Sequence, residues 1–186
     1  MLMLVTGCAA GQQNIRSTIT PDAIAAATEP LLFVEVPETG QQTIMSLKGR
    51  NGNVETWSSA DGLSISLDDG VLVATRGFGH DLMGADISGT LNALRGGPQN
   101  YERFASYLSA NNTAMVESFT CEIIAAPTTL IQSFGRVVYG SLWTETCMQL
   151  GIVIVSDYFV DSQNVWRTSQ WFSPQRSPLT IERLNY

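Results

Sequence analysis

The 186-residue sequence predicts an all-β chain. It reads as one antiparallel domain, either a barrel-like curled sheet or a two-layer sandwich of about ten strands, with short peripheral helices. Three observations predict this. Runs rich in β-branched and aromatic residues recur from Leu31 to Thr75 and from Ala114 to Leu184. Turn-forming clusters separate most of them, where an α/β architecture would need helices of about 10–15 residues. The length suits one domain able to bury most of its apolar surface.

The elements begin after an N-terminal signature. Val5-Thr6-Gly7-Cys8 has the form of a bacterial lipobox: a branched apolar residue, two small residues, then cysteine. Enzymes that acylate this thiol and cut in front of it need narrow side chains there. On this reading residues 1–8 are the end of a lipoprotein signal and Cys8 is the lipidation site. Met1 to Leu4 fall short of the usual apolar region of about 7–15 residues and carry no base. The expected translation start is therefore further upstream; the alternative is an internal Met-rich start with an incidental cysteine. Residues 9–28 read as a tether, small and polar through Asn14, with a brief helix over Pro21 to Thr28 because proline suits a first turn.

Residues 29–186 form the β-rich domain. Leu31 to Val36 is a strand ended by Pro37; Thr43 to Leu47 alternates, and Gly49 to Asn53 turns the chain into Val54 to Trp57. Leu63, Ile65 and Leu67 alternate with Ser64 and Ser66, Asp68-Asp69-Gly70 reverses, and Val71 to Thr75 returns. Gly77 to Asn100 carries six glycines and reads as an ordered loop with one short helix. Tyr101, Phe104, Tyr107 and Leu108 recur at helical spacing. Strands follow at Met115 to Ile124, Leu130 to Tyr139, Leu142 to Leu150, Ile152 to Val160, Val165 to Phe172 and Leu179 to Leu184. The short intervals Tyr139-Gly140-Ser141 and Asp161 to Asn164 suggest hairpins.

Composition excludes several classes. Seventeen acidic against ten basic residues give a net charge of −7, and Lys48 is the only lysine. That balance disfavours nucleic acid and anionic lipid headgroups. No run approaches the roughly 20 apolar residues of a membrane-spanning helix, so the expected membrane attachment is the lipid on Cys8. Cys121 and Cys147 stand in strand-like apolar contexts; an exported compartment lets them pair as a disulfide, and buried free thiols are the alternative.

Catalytic constellations are incomplete. His80 is the only histidine, no serine sits in a G-x-S-x-G elbow, and Gly77-Phe78-Gly79 lacks the third glycine of a dinucleotide fingerprint. Neither an EF-hand nor a zinc-ligand set is present, so no metal and no cofactor are expected. Glu35, Glu55, Glu122 and Glu145 lie in strand-like stretches, where two could be juxtaposed as a glycosidase pair. The C-terminal block Val165-Trp166-Arg167-Thr168-Ser169-Gln170-Trp171 offers aromatics and a guanidinium suited to sugars. Alternation puts Trp166, Thr168 and Gln170 on one face and Arg167, Ser169 and Trp171 on the other. Unless a bulge intervenes, one tryptophan fills the core and the other lies at a rim.

Several stretches in order resemble the YjbF/GfcB family of bacterial lipoproteins, tied to group 4 capsule and exopolysaccharide production. They are the lipobox at Cys8; Trp57 with Asp61 to Ile65; Gly70 to Gly79 with Asp81-Leu82-Met83; the Cys121 and Cys147 pair; and Asn164 to Pro174. The family pattern reads WRSRQW where this chain has Trp166-Arg167-Thr168-Ser169-Gln170-Trp171, so the second arginine is missing. The resemblance implies a β-rich, periplasmic-side protein acting with envelope and polysaccharide-export components, without an established catalytic activity.

Two functions follow as expectations. One is a non-enzymatic outer-membrane lipoprotein facing the periplasm that binds polysaccharide or an export-machinery protein, with Ala9 after Cys8 favouring the outer membrane. The other is a periplasmic glycan-modifying enzyme using strand carboxylates. Candidate binding residues are Arg76, His80, Trp166, Arg167, Gln170 and Trp171, with Arg76 positioning its loop.

Overall fold

A computed structural model describes residues 14–97, 99–108, 113–162, 164–173 and 178–185. Cys8, residues 9–13 and Pro174 lie outside the described residues. A 3-10 turn, Ile15–Thr18, and helix α1, Pro21–Ala26, precede the sheet; the Thr20 hydroxyl caps α1 by accepting from the Ala23 amide. Thirteen strands follow: β1 Leu31–Val36, β2 Gln41–Asn51, β3 Val54–Ser59, β4 Ser64–Asp68, β5 Val71–Arg76, β6 Leu82–Asp86, β7 Asn100–Leu108, β8 Ala114–Ala125, β9 Thr129–Ser133, β10 Arg136–Gln149, β11 Ile152–Val160, β12 Val165–Gln170 and β13 Leu179–Arg183. Helix α2, Ser88–Leu94, interrupts them after β6.

Twelve strands form one antiparallel circuit in the order β5-β4-β3-β2-β1-β13-β12-β11-β10-β8-β7-β6, with β9 added to β10. The sheet curls until its two edge strands, β5 and β6, meet. Side chains join this seam: the Thr75 hydroxyl accepts from the Leu82 amide at 2.9 Å, and Arg76 donates to the Leu82 carbonyl at 3.0 Å. The Asp81 carboxylate closes the intervening loop by accepting from Gly77 N, Phe78 N and the Thr75 hydroxyl. Polar side chains thus cover an edge that would otherwise offer unpaired backbone groups.

The expected alternatives, barrel and sandwich, prove to be combined. β5 and β12 stand half a circuit apart, yet they touch across the interior. The Gln170 amide donates to the Gly70 carbonyl at 2.8 Å, and its carbonyl accepts from the Leu72 amide at 2.7 Å. A Cβ on Gly70 would sit 2.5 Å from the Val165 Cβ of the opposite wall. Gly70 therefore serves two needs, the positive φ of the Asp69-Gly70 turn and this close approach.

The flattened interior holds Leu32, Val34, Met45, Trp57, Ile65 and Ile181 among its buried apolar residues. One end is filled by α2, whose Ala93 packs with Val71, Ile87, Ile123 and Tyr158. At the other, Phe78 meets Phe172 edge-on and Trp171 meets Tyr107 and Phe119.

Four local expectations are corrected. Tyr101 to Leu108 is strand β7 rather than helix: Tyr101, Arg103, Ala105 and Tyr107 turn inward, and the buried arginine hides the period-two pattern. The glycine-rich segment contains β6 as well as α2. Tyr139-Gly140-Ser141 is not a turn, because β10 runs straight through it. Gly140 is there because an added Cβ would lie 2.3 Å from the Val160 carbonyl oxygen. The real reversal is Phe134-Gly135, both at positive φ, which splits the expected Leu130 to Tyr139 strand into β9 and the start of β10.

Cys121 and Cys147 face each other on β8 and β10, disulfide-bonded with Cα atoms 4.0 Å apart. The chain-entropy argument gives a closed loop of this size about 3–4 kcal/mol. Cys121→Ser combined with Cys147→Ser should lower unfolding free energy by about that amount in urea titration, and non-reducing intact mass of exported protein should be two hydrogens below the dithiol mass.

Candidate functional site

Register builds a site on the outer face of the sheet. One row across β1, β13, β12, β11 and β10 reads Phe33, Glu182, Arg167, Phe159, Leu142; the next reads Glu35, Thr180, Ser169, Asp157, Thr144. Most of these residues, among them Glu35, Asp157, Phe159, Arg167 and Ser169, line a groove of about 370 Å³ together with Arg16.

The N-terminal segment forms one bank. Arg16 lies between the rings of Phe33 and Phe134, 4.5 and 4.8 Å from their centroids, and donates to Glu182 at 2.6 Å. Glu182 is fully buried and also accepts from the Ser133 hydroxyl at 2.6 Å. The rings, the guanidinium and the carboxylate together fasten the N-terminal segment and the tip of the β9–β10 hairpin onto the barrel.

The other charges of the groove differ in their commitments. Glu35 accepts from Gln42 at 3.0 Å and Asp157 from the Thr144 hydroxyl at 2.7 Å. Arg167 is half-buried and makes no hydrogen bond or ion pair among the described residues. It is a base held in place by its strand with its donors open to the groove. The strand positions of Glu35 and Asp157 are three strand spacings apart, about 14 Å.

The remaining sequence candidates are placed as follows. Trp166 and Trp171 are both 7 % exposed, so neither lies at a rim. The β11–β12 register shifts at Phe159/Val160 and leaves Trp166 outside the pairing, with the Arg136 guanidinium 4.8 Å from its ring. Gln170 is the cross-wall clamp and is wholly buried. Arg76 reaches back to the carbonyls of Thr75 and Leu82, holding the seam loop. His80 is half-buried in that loop, without a hydrogen bond among the described residues. Cys8 lies outside the described residues.

Sequence reasoning missed a buried polar cluster. Glu145, 1 % exposed, accepts from Thr90 at 2.6 Å, Tyr101 at 2.8 Å, Arg103 at 2.6 Å and Tyr158 at 3.0 Å. Burial and then the Glu145 charge push the Tyr101 and Tyr158 phenols up, so both stay protonated donors. The cluster ties α2 to β7, β10 and β11. Its signal was the alternation Trp143, Glu145, Cys147, which puts an acid on an inward face. The Cys121 and Cys147 sulfurs beside it are joined to each other, so they offer no thiolate to a metal.

A second cleft, about 640 Å³, opens at the α2 end. Five of its charged residues are paired: Glu55 with Arg50 and Arg183, Asp69 with Arg95. Burial raises the Glu55 carboxyl, but the charges and hydrogen bonds of Arg183 and Arg50 outweigh it and hold the group below its ordinary range. No described helix is long and apolar enough to cross a membrane.

Residues 8–184 match the family model described as group 4 capsule polysaccharide lipoprotein, YjbF. No curated protein sequence matches the chain. Among solved structures, the hypothetical lipoprotein YmcC from Escherichia coli (K12) is similar, with a TM-score of 0.78 and 19 % identity over 90 % of this chain and 89 % of that one. That likeness establishes a shared fold.

Two stability tests follow from these charges. Glu145→Leu strands the Arg103 charge in the interior and should cost about 3–5 kcal/mol in urea unfolding, with much of the loss recovered on adding Arg103→Met. Glu55, with its lowered pKa, contributes stability that is present above its unfolded-state pKa and lost as pH falls through the folded value. The stability gap between the parent and Glu55→Gln should therefore shrink as pH falls from about 6 to about 3; a constant gap would show that the arginines do not act through the ionised carboxylate.

Proposed function

The chain belongs to the YjbF family of group 4 capsule polysaccharide lipoproteins, and we propose that it supports capsule production as a non-enzymatic, lipid-anchored binding protein. In this reading Cys8 carries the lipid, the protein sits at the outer membrane facing the periplasm, and the groove around Arg167 takes a segment of polysaccharide or of an export-machinery protein. A role in capsule production and a place in the cell envelope come with the family. The binding act is our reading of the geometry.

The observation that carries it is the uncommitted guanidinium. Among the described residues, Arg16, Arg50, Arg95, Arg103 and Arg183 are each ion-paired, whereas Arg167 is not. A planar, permanently charged group with several donors suits a carboxylate or a row of hydroxyls. Its neighbours Ser169 and Thr180 add hydroxyls on the same face.

The glycan-modifying alternative finds less support. A general acid needs a carboxyl held protonated beside a second carboxylate about 5–10 Å away. Glu145 is sealed inside with its oxygens occupied, Glu55 is pushed toward ionisation, and Glu35 and Asp157 are each turned to a local donor.

Arg167→Ala and Arg167→Glu should leave thermal stability near that of the parent while reducing capsule output in producing cells. Loss of a binding hot spot corresponds to at least about 2 kcal/mol, or roughly 30-fold in affinity. Normal output with normal stability would remove Arg167 from the account; lost stability would assign it to folding instead.

A further inference from the structure

One cross-strand pair beside the groove does not interact as its place in the sheet would have it. Register sets Arg167 of β12 directly against Glu182 of β13, both on the outer face. Opposite charges so placed, with Cβ atoms about 4.5–5.5 Å apart, ordinarily attract and pair. Here they do not. Glu182 is fully buried and accepts from Arg16 through Oε2 and from the Ser133 hydroxyl through Oε1, while Arg167 is left to the groove.

The N-terminal strap explains the difference. It carries Arg16 between the rings of Phe33 and Phe134, 4.5 and 4.8 Å from their centroids, and within 2.6 Å of Glu182. A weakly hydrated cation stacked on two rings gains there what it loses on leaving water, so it takes the carboxylate in preference to an arginine facing the open groove. The same docking settles a second acid. The Arg16 amide donates to the Gln42 side-chain carbonyl at 3.0 Å, which leaves the Gln42 amino group to donate to Glu35, also at 3.0 Å. The neighbouring bases are engaged: Arg136 lies over Trp166 and donates to the Arg183 carbonyl, and Arg183 pairs with Glu55.

We infer that Arg16 is a positioning residue for the groove: by occupying Glu182 it keeps Arg167 free to meet a ligand, and undocking of the strap hands Glu182 to Arg167 and shuts the site. The inference rests on the binding reading above. Without Arg16 the carboxylate would be a buried charge with no counter-ion, which is costly. Arg167, directly opposite, is the base placed to neutralise it. The charge-assisted pair then formed would withdraw from the groove the guanidinium on which recognition depends. Strap docking and ligand binding are therefore coupled, and each favours the other.

Urea unfolding of the full chain tests this exchange of partners without any ligand. Arg167→Ala should change the unfolding equilibrium constant by less than about twofold in the parent, and raise it roughly tenfold once Arg16→Ala is present, since only then does Arg167 hold Glu182. Arg16→Gln provides the same comparison if the alanine variant does not fold. Equal effects of Arg167→Ala in the two backgrounds would overturn the inference. So would a rise that persists after Glu182→Gln is added, which would place the new partner of Arg167 elsewhere. In producing cells Arg16→Ala should lower capsule output as far as Arg167→Ala does, and adding Glu182→Gln should restore it. Neither a lost Arg16 contact to the ligand nor a merely structural role allows that rescue, so output that stays low in the double variant would also refute it. Normal output from Arg167→Ala would instead remove the binding reading, and the unfolding comparison would still decide whether Arg16 and Arg167 exchange Glu182.

Discussion

The contact on which this architecture depends is Gln170 reaching across the interior to Gly70 and Leu72. A barrel of about eight strands can be filled by side chains, while wider barrels leave a lumen. Twelve strands would do so here had the opposite walls not met. Gln170 satisfies an amide and a carbonyl on the facing wall, and Gly70 removes the Cβ that would keep Val165 away. The result closes like a barrel and fills like a sandwich.

Flattening decides what the remaining interior must contain. Where the walls diverge, α2 fills one end and the rings of Trp171, Phe172 and Phe78 fill the other. Beside α2 the filling is partly polar: one carboxylate, one guanidinium, two phenols and a hydroxyl satisfy one another around Glu145. Such a cluster is tolerated because its donors and acceptors match; an unmatched group there would carry the full desolvation cost. The seam follows the same logic on the backbone, with Thr75, Arg76 and Asp81 supplying hydrogen bonds that a ladder would otherwise make.

Strands marked by alternation or by β-branched apolar runs between turn signals were legible from the sequence: β1, β4, β5, β11 and the Asp69-Gly70 reversal stand where the pattern puts them. The failures share a cause. Arg103 on an inward face disguised β7, and Gly140, needed for close packing, imitated a turn. Both are tertiary demands that local propensity does not encode. Pairing of Cys121 with Cys147 was readable from context; their place beside Glu145 needed the register of β8 on β10. In the candidate site, alternation correctly set Arg167 and Ser169 on one face. It could not show that Gln170 spans the interior, or that a register shift would bury Trp166 beneath Arg136.

These placements divide one short motif between the interior and the outer groove. Trp166, Gln170 and Trp171 are consumed by bulge, clamp and core, so the most conspicuous residues of the C-terminal block hold the structure together. Arg167 and Ser169 alternate outward between them and meet the groove. Ser169 stands where the family pattern has its second arginine, one row from Arg167 on the same face. The groove of this chain therefore presents one uncommitted base flanked by the acids Glu35 and Asp157, rather than a doubly basic strip. In the proposed binding role, that balance would favour recognition through hydroxyls and a single directed charge over bulk attraction to a polyanion. Salt should accordingly weaken binding here less than it would at a doubly basic site.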